Sequence, residues 1–237
     1  MGWARSAGQA EEAEEPFDYI LVLMIRVTRR FAHLGRSFPS RYGAPVIRRV
    51  DLAIFRRTYF THCLRCTYCD DACCDHGVDV DLWHARQIDR WADEIEAYTG
   101  ISRERWFTAE VEQDPEVPGG ATRRTQVEDG HCIFLNRRGR GCLLHSFCHD
   151  HDLDYHDLKS MVDCLFPLSF YEQTLCPADD VGDDSLICLD EGPTLYRGLR
   201  HELEYYFGKQ FVSLLDEVEE TAAGRTEGRM DGKAVGR

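Results

Sequence analysis

The chain has 237 residues, of which 43% are hydrophobic and 11% aromatic, so it can bury a core and fits one domain with tails. Its formal net charge of -14 argues against a protein that wraps nucleic acid or coats an anionic membrane, since both need a basic surface. The longest apolar stretch, Phe17 to Val27, contains Asp18 and Arg26 and is shorter than the roughly 20 residues of a membrane-spanning helix. The acidic N-terminus lacks the pattern of a secretory signal, so we expect a cytoplasmic protein with no nucleic-acid and no membrane partner.

The composition changes along the chain. Residues 1–15 predict a flexible acidic tail, residues 16–220 a folded domain, and residues 221–237, rich in Gly, Ala and charge, a disordered tail. Between residues 26 and 57 the arginines are concentrated: Arg26, Arg29, Arg30, Arg36, Arg41, Arg48, Arg49, Arg56 and Arg57. Such a segment is typical of a solvated surface, and the alternative is a docking surface for an acidic protein partner.

The hydrophobic pattern predicts helices at Tyr19–Leu34 and Asp79–Tyr98. In the second, Ile88, Ala92 and Ile95 repeat at helical spacing before Gly100. The other predicted elements are a short helix (Ser102–Gln113), a loop (Pro115–Gly120), a β-hairpin (His131–Leu135 with Gly141–Leu144), a helix (Asp154–Asp163), two strands (Leu165–Glu172 and Ser185–Leu189) and a long helix (Pro193–Glu219) interrupted at Gly208. Together they predict an α+β fold: a helix-rich single domain with a small antiparallel sheet, with the cysteines mainly in loops and at element ends.

Eleven cysteines without an export signal indicate metal binding or redox chemistry rather than a disulfide framework. Cys63, Cys66, Cys69 and Cys73 have the spacing C-x2-C-x2-C-x3-C, and Cys74 follows them. A bacterial ferredoxin run has the same order, with a proline where Cys74 stands. Thiolates select zinc, iron–sulfur clusters or Cu(I). The alternative is a set of packed or disulfide-bonded cysteines, which have no reason to recur every three residues through a polar segment.

A second group of cysteines follows the first at Cys132, Cys142, Cys148 and Cys164. The spacing Cys142-x2-His145-x2-Cys148 is also typical of a ligand set, and His149, His151 and His156 add further donors. The pattern leaves open whether His145, Cys148, His149 or His151 is a ligand. Cys176 and Cys188 are isolated and predict structural roles, although Cys176-Pro177 could form a ligand corner.

Four of these segments together resemble the YkgJ-like cysteine-cluster family, which is described as a zinc- or iron-chelating domain. They are Cys63 to Cys74, Cys132-Ile133-Phe134-Leu135, Gly141-Cys142 and Cys164-Leu165-Phe166-Pro167, within about residues 58–170. The chain departs from the family where Asp70-Asp71-Ala72 precedes Cys73-Cys74, and where an insertion rich in His and Asp separates Cys142 from Cys164. The resemblance implies a metal centre.

Spacing and resemblance together select one candidate ligand set: Cys63, Cys66, Cys69, Cys73, Cys74, Cys132, Cys142 and Cys164. Five cysteines in the first run exceed the four ligands of one structural zinc. The expected cofactor is therefore an Fe–S cluster or iron, or Zn²⁺. The expected function is zinc or iron(–sulfur) binding. The alternatives are an Fe–S-dependent redox or methyl-transfer enzyme component, by analogy with flagellin lysine methylases of a related family, and a zinc-stabilised protein-interaction module. No residue stands out as catalytic.

Overall fold

The computed structural model describes residues 26–28, 30–60, 67, 69, 71–182 and 186–230. Within these ranges the strands are Arg26–Val27 (β1), Phe31–Pro39 (β2), Val46–Asp51 (β3), Thr58–Tyr59 (β4), Asp79–Asp81 (β5), Phe107–Gln113 (β6), Ala121–Thr125 (β7), Val127–Glu128 (β8), His131–Cys132 (β9), Leu168–Tyr171 (β10), Thr174–Pro177 (β11) and Leu189–Thr194 (β12). The α-helices are Leu82–Arg90 (α1), Ala92–Thr99 (α2), Leu143–Asp150 (α3), Met161–Leu165 (α4), Asp179–Gly182 (α5), Leu195–Phe207 (α6) and Lys209–Met230 (α7). Short 3-10 helices occur at Leu52–Phe55, Ala72–Cys74, Arg103–Arg105, Pro118–Gly120 and Tyr155–Asp157.

The strands form several small sheets. The largest has the order β1-β2-β3-β11-β10, and β3 and β11 pair in parallel while its other pairs are antiparallel. A three-stranded antiparallel sheet has the order β5-β7-β6, and β12 pairs with β4 and β8 with β9. The α+β class is confirmed, and the expected small antiparallel sheet is corrected to a mixed five-stranded sheet with smaller ones beside it.

Two hydrophobic clusters form the interior. In the first, the five-stranded sheet packs against α4, α6 and α7 through side chains such as Val50, Leu203 and Phe211, all fully buried. In the second, α1, α2 and α3 pack with β5 and β6, with Ile88 and Phe147 fully buried. Burial of one such side chain contributes about 1.5–3 kcal/mol. Cys69, Cys164 and Cys188 belong to the first cluster and Cys132 and Cys148 to the second, so buried cysteines occur in both clusters.

A buried polar pair joins these clusters at the start of α1. Asp81 caps the helix by accepting a hydrogen bond from the backbone N–H of His84 at 3.0 Å, and its other oxygen lies 2.6 Å from His84 Nδ1. His84 Nε2 donates to the backbone oxygen of His156 at 3.0 Å. Because both side chains are completely inaccessible to solvent, neither can form a replacement hydrogen bond with water if the other is removed.

Replacing Asp81 by alanine is therefore expected to lower the free energy of unfolding by about 3–5 kcal/mol, which is the usual cost of leaving one member of a buried pair without its partner. Asp81→Asn should cost less, because the amide oxygen can still cap the helix. Asp79, on the same strand, makes an exposed pair with Arg124 at 2.8 Å, so Asp79→Ala should cost less than about 1 kcal/mol. Urea unfolding of the three variants measures these values, and equal losses for Asp79→Ala and Asp81→Ala would contradict the prediction.

Several predicted elements agree with the structure. The predicted helix Asp79–Tyr98 is present from Leu82 as α1 and α2, which meet at Trp91, whereas its first three residues form β5. The predicted strand Leu165–Glu172 contains β10. The predicted long helix Pro193–Glu219 is α6 and α7, separated at Gly208, whose φ of 84° belongs to the left-handed region that favours glycine.

Other predictions were wrong. Of the predicted helix Tyr19–Leu34, residues 19–25 lie outside the described residues and the remainder contributes to β1 and β2. The predicted helix Ser102–Gln113 is a 3-10 turn followed by β6, since pairing with β7 overrides its helical propensity.

Three predictions were right only in part. Of the hairpin, β9 and an isolated bridge between Leu135 and Cys142 are present, but α3 begins at Leu143. The predicted helix Asp154–Asp163 is replaced by a 3-10 turn and the short α4. Of the predicted strand Ser185–Leu189, Ser185 is not among the described residues, and β12 begins only at Leu189.

The ends of the chain were expected to be tails. The acidic tail over 1–15 and the residues 231–237 lie outside the described residues. Residues 221–230 belong to α7, so this part of the expected disordered tail is helical. No helix in the described part of the chain combines the length and the apolar character needed to cross a bilayer.

The arginine-rich segment lies mainly on β2, β3 and the turns beside them. Arg29 is outside the described residues. Arg30 pairs with Asp51 at 2.9 Å, and Arg49 donates to the backbone oxygen of Glu172 at 3.1 Å. Arg30 and Arg49 are therefore bound within the chain, and the acidic protein partner remains a prediction.

Candidate metal centre

A cavity of about 850 Å³ lies between the two hydrophobic clusters. Its wall includes the segment 72–80 before and within β5, the residues 141–145 at the start of α3, and the residues 158–164 that lead into α4. Apolar side chains such as Phe134, Leu158 and Leu199 form part of the same wall. The cavity therefore depends on the packing of distant segments rather than on one loop.

All of the predicted ligands that the structure describes line this cavity: Cys69, Cys73, Cys74, Cys132, Cys142 and Cys164. Cys63 and Cys66 lie outside the described residues. The six described cysteines come from four separate parts of the chain and line one cavity. Their role as metal ligands stays a prediction.

Local structure explains how these cysteines reach the wall. The turn Ala72–Cys74 begins after Asp71, whose φ of 58° lies in the left-handed region. Cys132 is on β9, Cys142 is the residue before the first turn of α3, and Cys164 is in α4. Cys142 and Cys164 thus occupy positions fixed by helices that pack in the core.

A shared wall is not yet a coordination sphere. Among the residues that the structure describes, no three His, Cys, Asp or Glu side chains are arranged to hold one metal ion. The described candidate donors therefore line one cavity without forming a metal site. Of the first run of cysteines, the described members that line it are Cys69, Cys73 and Cys74.

Burial dominates the electrostatics of the later thiols. It raises the pKa of Cys142 to about 12, with the Asp163 carboxylate acting in the same direction. It also raises the pKa of Cys132 and moves that of Cys164 well above its usual range, against the opposing effect of the Lys159 ammonium on Cys164. Without a metal these side chains are neutral thiols, and a bound cation would supply the charge that turns them into thiolates.

One buried hydroxyl bears on whether a thiolate-binding metal fits here. The hydroxyl of Tyr206 is buried and has no hydrogen-bond partner of ordinary geometry within the described residues. It lies beside the sulfur of Cys164, close enough to affect the pKa of that thiol. A neutral thiol is a weak acceptor, whereas a thiolate is a strong one. The donor set and the unsatisfied hydroxyl therefore fit a soft or borderline metal bound through thiolates.

The residues whose role as metal ligands the sequence left undecided differ in position. Of His145, Cys148, His149, His151 and Cys176, only His145 lines the cavity. The side chain of His149 is 84% exposed, and Cys148 is fully buried in the second cluster. Burial raises the pKa of Cys176, on β11, to about 11.

Sequence reasoning missed several residues of the wall. Cys188 was expected to be a structural cysteine in a strand, but it precedes β12 and lines the cavity while 4% exposed. Lys159 and Glu202 also line the wall, and Lys159 pairs with Asp163 at 3.3 Å. The Cys142-x2-His145 spacing was a usable signal for His145, whereas no local signal identifies Glu202, which belongs to the distant α6.

His156 bridges two carboxylates, those of Asp154 and of Glu202, which lies on α6 and lines the cavity. Its Nδ1 lies 2.5 Å from Asp154 and its Nε2 2.8 Å from Glu202, while Glu202 also accepts a hydrogen bond from the Tyr155 hydroxyl at 2.5 Å. Burial opposes the charge on His156, but Glu202 and Asp154 together raise its pKa. Burial likewise opposes the charge on Glu202, but hydrogen bonds from His156 and Tyr155 lower its pKa.

This pair is expected to make stability depend on pH. The fold raises the pKa of His156 above its ordinary 6.5, so its contribution is complete below pH 6.5 and is lost as pH rises through the raised value. The fold lowers the pKa of Glu202 below its ordinary 4.5, so its contribution is complete above pH 4.5 and is lost as pH falls through the lowered value. The stabilisation should therefore be complete between pH 4.5 and 6.5. The free-energy difference between the parent and His156→Gln, measured against pH, should be largest in that window, and a constant difference into the alkaline range would contradict this.

The chain was also compared with known proteins. No family model matches it, and neither the curated proteins nor the solved structures include a significant match. The resemblance to the YkgJ-like cysteine-cluster family therefore depends on the four segments quoted from the sequence.

Proposed function

We propose that this chain is a metal-binding protein that holds zinc or an iron(–sulfur) centre through cysteines of the cavity. The main support is that six predicted ligands, brought from four parts of the chain, line one cavity. The buried members of this set belong to different hydrophobic clusters, Cys69 and Cys164 to the first and Cys132 to the second, yet they line the same cavity. Convergence of six on one space is better explained by a shared ligand.

The chemistry of the wall agrees with this proposal. Thiolates are the protein ligands preferred by zinc, Fe–S clusters and Cu(I). The buried thiols of Cys132, Cys142 and Cys164 have raised pKa values, so loading should release protons as the metal replaces them. The unsatisfied hydroxyl of Tyr206 would then donate to the Cys164 thiolate.

When bound, zinc would supply a structural link or a Lewis acid, and an iron–sulfur centre would supply one-electron redox chemistry. The chain's own residues would hold the centre, exclude water with the apolar part of the wall and place Lys159 beside Cys164. Membership of the YkgJ-like cysteine-cluster family is part of this proposal, as is the expectation of a zinc- or iron-chelating role.

Anaerobic purification followed by elemental analysis and absorption spectroscopy tests the proposal. We expect at least one equivalent of zinc or iron per chain. Iron–sulfur binding would give a brown protein whose visible absorption bleaches on reduction, and zinc would give a colourless one. Substoichiometric iron and zinc in the purified protein, with no uptake of either during reconstitution with zinc or with iron and sulfide, would refute metal binding.

A second candidate is suggested by the size of the cavity. Ligand pockets of about 300–1,000 Å³ are typical of small-molecule sites, and about 850 Å³ exceeds what a single ion occupies. The alternative function is therefore an enzyme component that uses the centre beside a bound small molecule, with Fe–S-dependent redox or methyl-transfer chemistry. A zinc-stabilised interaction module would need no such space.

A further inference from the structure

We infer that His145 is a nitrogen ligand of the proposed metal centre, which gives the site a mixed cysteine and histidine donor set. This inference rests on the proposed function and extends it by one residue that the sequence left undecided. A mixed set suits a borderline ion such as zinc, which is commonly bound by thiolates together with imidazole.

The position of His145 follows from the start of α3. Cys142 precedes the helix and His145 is its third residue. Residues three apart at the start of a helix lie on the same side of it. Both residues line the cavity, and Cys142 occupies the N-cap position of α3. Cys142 is therefore tied to the turn that carries the imidazole.

The ring of His145 is held in one orientation by stacking. It lies nearly parallel to the ring of Tyr155, with centroids 4.7 Å apart and an interplanar angle of 18°. Tyr155 is itself fixed by stacking on His156 at 4.0 Å and by its hydrogen bond to Glu202 at 2.5 Å. Stacking covers a face of the imidazole and leaves free the edge that carries the nitrogens. A ligand that is already oriented loses less conformational freedom when the metal binds.

The nitrogens of His145 have no other function in the described structure. Among the residues that the structure describes, no hydrogen bond or ion pair is made by the His145 ring, whereas His84, His131 and His156 all have such partners. The imidazole is half-buried and lines the cavity, so its nitrogens are open to a metal ion in that space.

The neighbouring donors offer a matched comparison. His149 lies on the same helix but is 84% exposed and contacts Asp150 at 3.1 Å. The Nδ1 of His151 is hydrogen-bonded to the backbone oxygen of Phe147 at 2.8 Å. Neither lines the cavity. Geometry therefore selects His145 from the histidine-rich segment, and His149→Ala is a suitable control.

The test uses zinc and cobalt(II) binding to the full chain, with His145→Ala and His149→Ala prepared in the same way. Loss of His145 should weaken zinc affinity by more than the about 10–100-fold that follows loss of an outer-sphere partner. It should also alter the visible bands of the cobalt-substituted protein, because the ligand field changes. His149→Ala should match the parent in both measurements.

A second measurement uses the parent protein, so it does not depend on whether a variant folds. In the parent labelled with nitrogen-15 in its histidines, zinc should shift one ring nitrogen of His145 and leave those of His149 unchanged. Unchanged zinc affinity and cobalt spectrum in His145→Ala, or an unshifted His145 ring in zinc-loaded parent, would overturn the inference while metal binding by the cysteines stands. A parent that takes up neither zinc nor cobalt would overturn both.

Discussion

Cys142→Ser and Cys164→Ser are each expected to reduce the metal content of the purified protein from a full equivalent to a small fraction. Both residues line the cavity, and helices that pack in the core fix their positions. Serine preserves size but replaces a soft thiolate with a hydroxyl that zinc and iron–sulfur clusters do not accept as a substitute. Cys66→Ser, which changes the middle of the first run, should abolish binding for the same reason.

Cys176→Ser is the matched control for these variants. It changes a partly buried cysteine on β11 that does not line the cavity, so metal content should equal that of the parent. Metal-to-protein ratios measured side by side decide the matter. A full complement of metal in Cys142→Ser and Cys164→Ser, or its loss in Cys176→Ser, would show that the ligands are assigned wrongly.

Cysteine spacing predicts much of the candidate site because ligands that share an ion recur in short, ordered patterns. Cys69, Cys73 and Cys74 lie close together in sequence, so their approach to one space needs little loop closure. Cys132, Cys142 and Cys164 are predicted instead from their order along the chain and from the residues next to them in sequence. Local pattern therefore identifies six of the cysteines that line the cavity in the described structure, but not Cys188.

Residues that reach the cavity only through the tertiary fold cannot be predicted from local sequence patterns. Glu202 comes from α6, and Cys188 comes from the segment before β12. Their neighbours in sequence resemble an ordinary amphipathic helix and an ordinary buried strand. No spacing links either residue to the other wall segments, since their proximity is set by the packing of the two hydrophobic clusters.

The fold shows the same division between local and long-range information. The helices α1, α2 and α6 follow from helical periodicity and, for α2, from the stop signal at Gly100. The strands β2 and β6 do not, because their pairing partners decide the outcome. In β2 the alternation of buried Ala32 and Leu34 with exposed His33 is clear only once the strand is paired with β3.

Removal of the metal is expected to destabilise the cavity region more than any single substitution away from it. Structural zinc contributes about 10–16 kcal/mol of apparent free energy in small zinc peptides, whereas whole domains are stable by only about 5–15 kcal/mol. The six described cysteines connect both hydrophobic clusters. Loss of a shared ion would leave the wall to be held by packing alone.

A chelator under reducing conditions should therefore lower the melting temperature of the loaded protein. If about 5 kcal/mol is lost, the decrease should be about 10–20 °C, since each kcal/mol corresponds to about 2–4 °C in a domain of this size. The same chelator should leave the melting of Cys142→Ser unchanged, because that variant holds little metal to remove. This variant separates loss of metal from direct effects of the chelator.

Hydrogen exchange should locate the effect within the chain. Protection should fall in the wall segments 72–80, 131–145 and 158–164. The secondary-structure elements within these segments are mainly short. The helices α6 and α7 should retain protection, because Leu203, Phe211 and Leu215 are fully buried against the five-stranded sheet and its neighbours. Unchanged melting after chelation would contradict the coupling of metal and fold. Uniform loss of protection across the whole chain would show instead that the two hydrophobic clusters unfold as one unit.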